Sequence, residues 1–225
     1  MTSALPRWKR VLAVVAHPDD ESFGLGGVID ALVRSGARVS VLCLTAGDAS
    51  TLGAEEVDLT AVRAAELDLA AGLLGVDHVT LLHHPDGRLG DRIPDLVDAV
   101  REAATADRPD ALLVFGAGGG VTGHPDHEAA TMAALTVARE RALPVLEWCL
   151  PSLVADTLNA ELGAAFTGYA EADLPVTLAV DRDRQLQAIA AHASQAVPGS
   201  VLWRRIELLG DREHLRLTLP RPSAP

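Results

Sequence analysis

The chain is poor in cysteine, in positive charge and in long apolar runs, and each shortage removes a class of function. Its two cysteines, Cys43 and Cys149, lie inside the apolar runs VSVLCLT and VLEWCL. There they read as buried small hydrophobes rather than as a disulfide or a ligand pair, and a reducing cytoplasm is the expected compartment. Nineteen Lys and Arg stand against 31 Asp and Glu, a formal net charge of −12. That sign is opposite to the basic footprint of a general nucleic-acid or anionic-membrane binder. The apolar run after MTSALPRWKR is too short for a signal h-region with a cleavage site or for a membrane span, so a soluble protein with no nucleic-acid or membrane partner is expected. No internal repeat, low-complexity tract or linker interrupts the sequence. With 225 residues, 48% of them hydrophobic and 22% charged, the chain has the length and balance of one globular domain, 1–225, with a substantial core.

Against this background stands the stretch 11–21, VLAVVAHPDDE. A short apolar run that ends in a histidine, a proline and three carboxylates, and then a Gly-rich helical segment over 23–35, reads as a buried parallel strand feeding a helix. The polar cluster then lands at the strand's C-terminal end, where open α/β sheets bind ligands. His17 and Asp20 offer imidazole nitrogen and carboxylate oxygen, donors that suit zinc and other divalent first-row metals. Pro18 stiffens the turn between them, and Asp19 points another way, free to act as a base. Glu21 either supports the site or opens the helix, where its charge meets the positive end of the dipole. The glycines that follow make no dinucleotide fingerprint, because Ile29 stands where the third glycine belongs and the preceding acids would repel a pyrophosphate.

A second cluster, GHPDHE over 123–128, follows an apolar strand candidate at 111–115 and a glycine-rich loop. His124 and His127 sit at the mouth of a helix predicted over 125–141, spaced so that both can face one side. One would be a third metal ligand, the other a substrate-binding or charge-bearing group. A metal held by His, Asp and His keeps a position open for water and lowers that water's pKa to roughly 7, the chemistry of a metal-dependent hydrolase. Either cluster alone is more often a turn than a site; two at the ends of parallel strands would meet across one edge of a sheet.

The remaining periodicity alternates strand and helix. Strands are expected over 39–44, 79–82 and 144–150, helices over 59–74 and from Pro94 to near Asp107, a surface loop over 52–58, and loop plus helix over 152–167. A last strand of the sheet at 175–181 precedes a helix over 182–193, then a helix at 203–209 and an edge strand at 213–218. The predicted fold is α/β, Rossmann-like, a mostly parallel sheet with helices on both faces and the metal site at the C-terminal edge of the strands. By themselves Arg63 and Glu66 read as a solvated ion pair, Asp48 as a turn former, His192 as a helix-end histidine, and His83 and His84 as loop residues.

AHPDDE at the end of the first strand, with the distal GHPDH, resembles the LmbE-like (PIG-L) N-acetylglucosaminyl deacetylase superfamily, Rossmann-like metal-dependent amide hydrolases of N-acetylated sugars. The resemblance covers most of the chain in order, and its specificity rests on these two motifs. It implies His17, Asp20 and His127 as ligands of one Zn²⁺ per chain, with Fe²⁺ the alternative. It implies Asp19 as general base, His124 as the group that stabilises the oxyanion or protonates the leaving amine, and Asp126 as the residue that orients His124. It further implies substrate contacts by Asp86 in Asp-Gly-x-Leu, by Arg63 in R-x-x-E and by Asp48 in Thr-Ala-Gly-Asp, and a site-supporting, substrate-side role for His192 in H-x-S-Q. Ala46 departs from the Arg that members often carry in that Thr-x-Gly loop.

The activity so implied is removal of an N-acyl group, foremost N-acetyl, from an amino sugar or glycoconjugate. An amidase of a thiol-sugar conjugate or a deacylase of a glycosylated natural product would use the same residues. A phosphoesterase would need a run such as H-x-H-x-D-H, which is absent, and a non-catalytic sugar-binding module would be expected to have lost Asp19 or a ligand. The implied partner is a small N-acylated amino sugar or glycoside. The oligomeric state, homo-oligomer included, does not follow from these residues.

Overall fold

The computed structural model describes residues 5–52 and 58–219. Strand β1 (Arg10–Val15) ends at His17, and two short helices follow, α1 (Asp20–Phe23) and α2 (Gly26–Arg34). The single helix expected over 23–35 is thus broken. A Cβ on Gly24 would strike the Phe115 ring, so the chain passes closely by an aromatic from a later strand and restarts its helix two residues on.

β2 (Arg38–Thr45) lies parallel to β1 and leads, beyond the residues described, to α3 (Leu59–Leu74), whose N-cap Asp58 accepts from Ala61 N–H at 3.0 Å. This Asp stops one of the helix's orphan donors from going unpaired. Gly75 ends α3 in the left-handed conformation, φ 76°, which glycine adopts without strain. The loop expected over 52–58 lies mostly outside the described residues.

β3 (His78–His84) extends the sheet at its edge and carries His83 and His84 as strand residues, not loop residues. Then come α4 (Ile93–Asp107), β4 (Ala111–Phe115), α5 (Pro125–Arg141) and β5 (Val145–Pro151), near the predicted bounds. The last part holds α6 (Ser152–Leu162), the two-residue β6 (Gly168–Tyr169), β7 (Val176–Ala179), α7 (Asp183–Ala191), α8 (Val201–Leu209) and β8 (Arg212–Thr218).

The strand order is β3-β2-β1-β4-β5-β8-β7, with β6 pairing β5. Here the expectation for the C-terminal strands fails. β8 is not an edge: it runs antiparallel between β5 and β7. The sequence of β8, REHLRLT, alternates polar and apolar residues as edge strands do, but α8 leads it back beside β5, and β7 takes the edge.

β1 is buried along almost its whole length because both faces of the sheet are covered. Val11, Ala13 and Val15 face a core shared with α2 and α3, while Leu12 and Val14 face the one built by α4 and α5. Continuous apolar runs, rather than alternation, are the signature of such doubly covered strands. The order reverses between β1 and β4, which are paired in register Val11↔Ala111. The crevice beyond their C-terminal ends is therefore the switch point where such sheets bind ligands, and both histidine motifs empty into it.

Candidate metal-dependent active site

Asp20 opens α1 and turns its carboxylate back onto the end of β1. Its Oδ2 accepts the backbone N–H groups of Ala16, at 3.1 Å, and His17, at 2.9 Å. That leaves Oδ1 3.1 Å from His127 Nε2. The two rings also face each other, His17 Nδ1 lying 3.2 Å from His127 Nε2, with His17 Nδ1 3.6 Å from Asp20 Oδ2. Donors on a tetrahedral ion with bonds of about 2.1 Å are separated by roughly 3.4 Å, so these spacings fit one divalent cation held by His17, Asp20 and His127. All three residues are buried. His124 brings a ring nitrogen within 4.8 Å of those of His17 and His127, but the Asp20 carboxylate lies closer and supplies the negative charge that a dication favours.

The far side of each ring is also fixed. His17 Nε2 sits 3.0 Å from Asp86 Oδ1 and 3.4 Å from Asp126 Oδ2, and His127 Nδ1 is 2.6 Å from Thr122 Oγ1. An outer oxygen of this kind sets which nitrogen keeps the proton and frees the other for metal. Burial works against a charged His17, yet Asp126, Asp20 and Asp86 outweigh it and hold its pKa well above the ordinary value. Burial likewise opposes the Asp20 carboxylate, but the two histidines hold its pKa well below the ordinary value. The site favours positive charge at its centre, as proton or as metal.

Asp19 stands beside this centre with φ 130°, a backbone angle that costs a non-glycine residue roughly 1–3 kcal/mol. The surroundings enforce it. Asp19 N–H donates to Glu21 Oε2 at 3.0 Å, and Arg63 donates to Pro18 O at 2.5 Å, to Gly47 O at 2.7 Å and to Asp19 Oδ2 at 2.9 Å. Burial and the neighbouring Asp20 charge push the Asp19 pKa up to about 6, against the pull of Arg63. Glu21 is buried and accepts from Ser22 Oγ, and His192 Nε2 lies 2.7 Å from its Oε1.

His124 is the N-cap of α5, its Nδ1 accepting Asp126 N–H at 3.2 Å. That bond places the proton of a neutral ring on Nε2. Burial, with His17 and His127 nearby, lowers the His124 pKa and keeps the ring neutral.

These centres floor a cleft of about 590 Å³ lined by His17, Asp19, Asp20, Arg63, Asp86, His124 and His127. Several expectations change at this resolution of detail. The Asp126 side chain does not orient His124: its oxygens accept from Gly87 N–H at 2.7 Å and Leu89 N–H at 3.0 Å, and it faces His17. Arg63 does not pair with Glu66; it clamps Asp19, while Glu66 accepts from Ser194 N–H and Oγ. Asp86 reaches the cleft, but one oxygen is on His17 and the other accepts from Ala49 N–H at 2.9 Å. Asp48 is exposed and lies outside the cleft lining, and His192 is fully buried under Glu21. Thr122, Gln195, Phe166 and Arg205 were not read from the sequence as site residues, since each comes from a loop or late helix that only the fold brings here.

The doubly covered α/β sheet thus places a His-Asp-His group, with the spacing of metal donors, at its switch point. The chain belongs to the GlcNAc-PI de-N-acetylase (PIG-L) family, whose sequence profile matches residues 12–138. It is 32% identical over 248 aligned positions to a 1D-myo-inositol 2-acetamido-2-deoxy-α-D-glucopyranoside deacetylase of Nakamurella multipartita, covering 85% of this chain and 82% of that one. Its fold matches the N,N'-diacetylchitobiose deacetylase of Pyrococcus horikoshii with a TM-score of 0.67 and 24% identity, over 94% of this chain and 84% of that one. The fold also matches a 4-carboxy-2-hydroxymuconate hydratase of Pseudomonas putida KT2440, TM-score 0.70 and 18% identity, over 96% and 99% of the chains. Fold alone therefore does not choose the reaction; the site does.

Proposed function

We propose that residues 1–225 form one catalytic domain, a metal-dependent N-deacetylase of small N-acetylated amino sugars joined to an aglycone. One observation carries the reading: His17 Nδ1, His127 Nε2 and Asp20 converge with the spacing of metal donors while the strained Asp19, held by Arg63, stands beside them. Family membership supports the same chemistry.

A zinc or ferrous ion on His17, Asp20 and His127, one per chain, supplies Lewis acidity toward an amide carbonyl and makes water acidic near neutral pH. The chain's own groups do the rest. Asp19, ionised above about pH 6, takes the proton of the attacking water. Arg63 holds that carboxylate in place through the Asp19 Oδ2 bond. His124, with its proton on Nε2, donates to the oxyanion that develops as the carbonyl becomes tetrahedral. The proton collected on Asp19 then passes to the departing amine nitrogen as the C–N bond breaks, giving free amine and carboxylate. The half-apolar cleft, with Phe23, Phe115 and Phe166 in its walls, limits the water that competes for these hydrogen bonds.

Among the described residues no helix is long and apolar enough to cross a membrane. The test is amine release from N-acetylglucosamine and its glycosides by the metal-loaded protein, before and after a chelator. Release that stops on chelation and returns with zinc or iron is expected; release that a chelator does not touch would remove the metal from the reaction.

A further inference from the structure

Helix α8 sends Val201, Leu202 and Arg205 to the wall of the same cleft. Arg205 is only 5% exposed. A buried guanidinium is costly unless a carboxylate pairs with it, and among the described residues none lies within ion-pair distance. Glu213, whose charge acts on it most, is already engaged: one oxygen accepts from Trp148 Nε1 at 2.7 Å and the other pairs with Arg182 at 2.5 Å. The Glu213 carboxylate is thus taken up by Arg182 and Trp148 rather than by Arg205. Arg205 itself donates through Nη2 to Phe23 O and lies over the Trp148 ring at 5.1 Å. Its other nitrogens have no hydrogen-bond partner among the described residues, yet they are not sealed in protein as Arg63 Nε and His192 Nδ1 are. Burial pushes its pKa down to about 10, against the pull of Glu213, as expected of a cation short of a counter-charge.

We propose that Arg205 is an anion-recognition residue of this cleft, and that the amino-sugar substrate carries a carboxylate or phosphate group that supplies the missing counter-charge. A planar guanidinium with free N–H groups pairs with such oxyanions in fork geometry. Of the cleft's two arginines, Arg63 is already bonded to Pro18 O, Gly47 O and Asp19 Oδ2, which leaves Arg205 to meet an anion. The inference rests on the deacetylase reading for its turnover test, and a binding test stands apart from it.

Two substrate pairs separate the place of the anion: N-acetylglucosamine 1-phosphate against the methyl glycoside, and N-succinylglucosamine against N-butyrylglucosamine. An anion on the aglycone side gives about a tenfold or larger kcat/KM preference in the first pair, one on the acyl side in the second. In Arg205→Met that preference collapses toward one, and Arg205→Lys keeps part of it. No preference in either pair, or a preference untouched by Arg205→Met, overturns the proposal. If none of the four is hydrolysed, the deacetylase reading fails. Calorimetric binding of N-acetylglucosamine 1-phosphate to the metal-loaded proteins then decides: about tenfold weaker binding to a folded Arg205→Met protein supports the anion site, and equal binding rejects it.

Discussion

At the scale of single residues, the distinction between Asp19 and Asp20 comes first, because two adjacent carboxylates are given opposite environments by their partners. Asp20 is anchored by two backbone N–H groups and faces two histidines; Asp19 is buried, held by one arginine, and raised to about 6. Environments that separate the pKa values of paired groups are what divide acid, base and ligand roles. Asp19→Asn is expected to bind metal normally and lose roughly 10²–10⁴-fold in kcat, the usual worth of a general base, as metal analysis beside steady-state rates would show. The base must be ionised, so the rate falls as pH drops through its pKa. A bound cation lowers that pKa further, which puts the acid limb of kcat/KM at about pH 6 or below. Arg63 pulls the same pKa down, so the limb of Arg63→Met should move to higher pH. An unmoved limb in a folded Arg63→Met protein would show that Asp19 is not the group titrating. These assignments were only partly legible in the sequence. HPDDE announces its donors through residue types, but Thr122 behind His127 and the switch of Asp126 from His124 to His17 depend on where a loop and a helix start come to rest.

At the scale of elements, α1 matters more than its four residues suggest, since it holds Asp20 and Glu21 against β1 and α7 at once. The Glu21–His192 contact, 2.7 Å between fully buried side chains, joins the turn that carries His17, Asp19 and Asp20 to the C-terminal end of α7. Burial disfavours the His192 cation, but the bond to Glu21 prevails and raises its pKa. A raised folded-state value means that its stabilising effect is complete below the pKa of free imidazole, and is lost as pH climbs through the folded value. His192→Gln should therefore destabilise by about 3–5 kcal/mol, the cost of breaking a buried pair, with the gap to wild type larger in urea unfolding at pH 5.5 than at pH 8.5. The reverse order would refute the pairing. Gly24→Ala tests the break between α1 and α2. Its Cβ would strike the Phe115 ring, which packs between His127 and Trp148, so a loss of about 1–3 kcal/mol and weaker metal binding are expected. The lone helix expected over 23–35 failed for this reason: periodicity counts apolar faces and does not see an aromatic ring arriving from the next strand but two.

At the scale of the whole molecule, β1, β4 and the helices on both faces were legible because apolar runs without alternation report two-sided burial, and because Gly and Pro punctuate their ends. The C-terminal part was not. β8 has the polar alternation of an edge yet lies between β5 and β7, and Glu213 on it bonds to Trp148 from β5. A chain ended after Gly210 would expose the β5 edge and strip Trp148 of its partner, so it should lose cooperative unfolding in chemical denaturation; a cooperative transition near the wild-type midpoint would contradict this dependence. Arg205 belongs to the same C-terminal segment, beyond the reach of any motif. What the molecule is built to do rests on the centre at the switch point, and the most direct measurement pairs metal content with turnover in two variants. By elemental analysis Asp19→Asn should carry about one zinc or iron per chain, as wild type does, without releasing amine from N-acetylglucosamine glycosides, while His127→Ala should have neither metal nor activity. Wild-type metal content in a folded His127→Ala protein, or full activity in Asp19→Asn, would contradict the account.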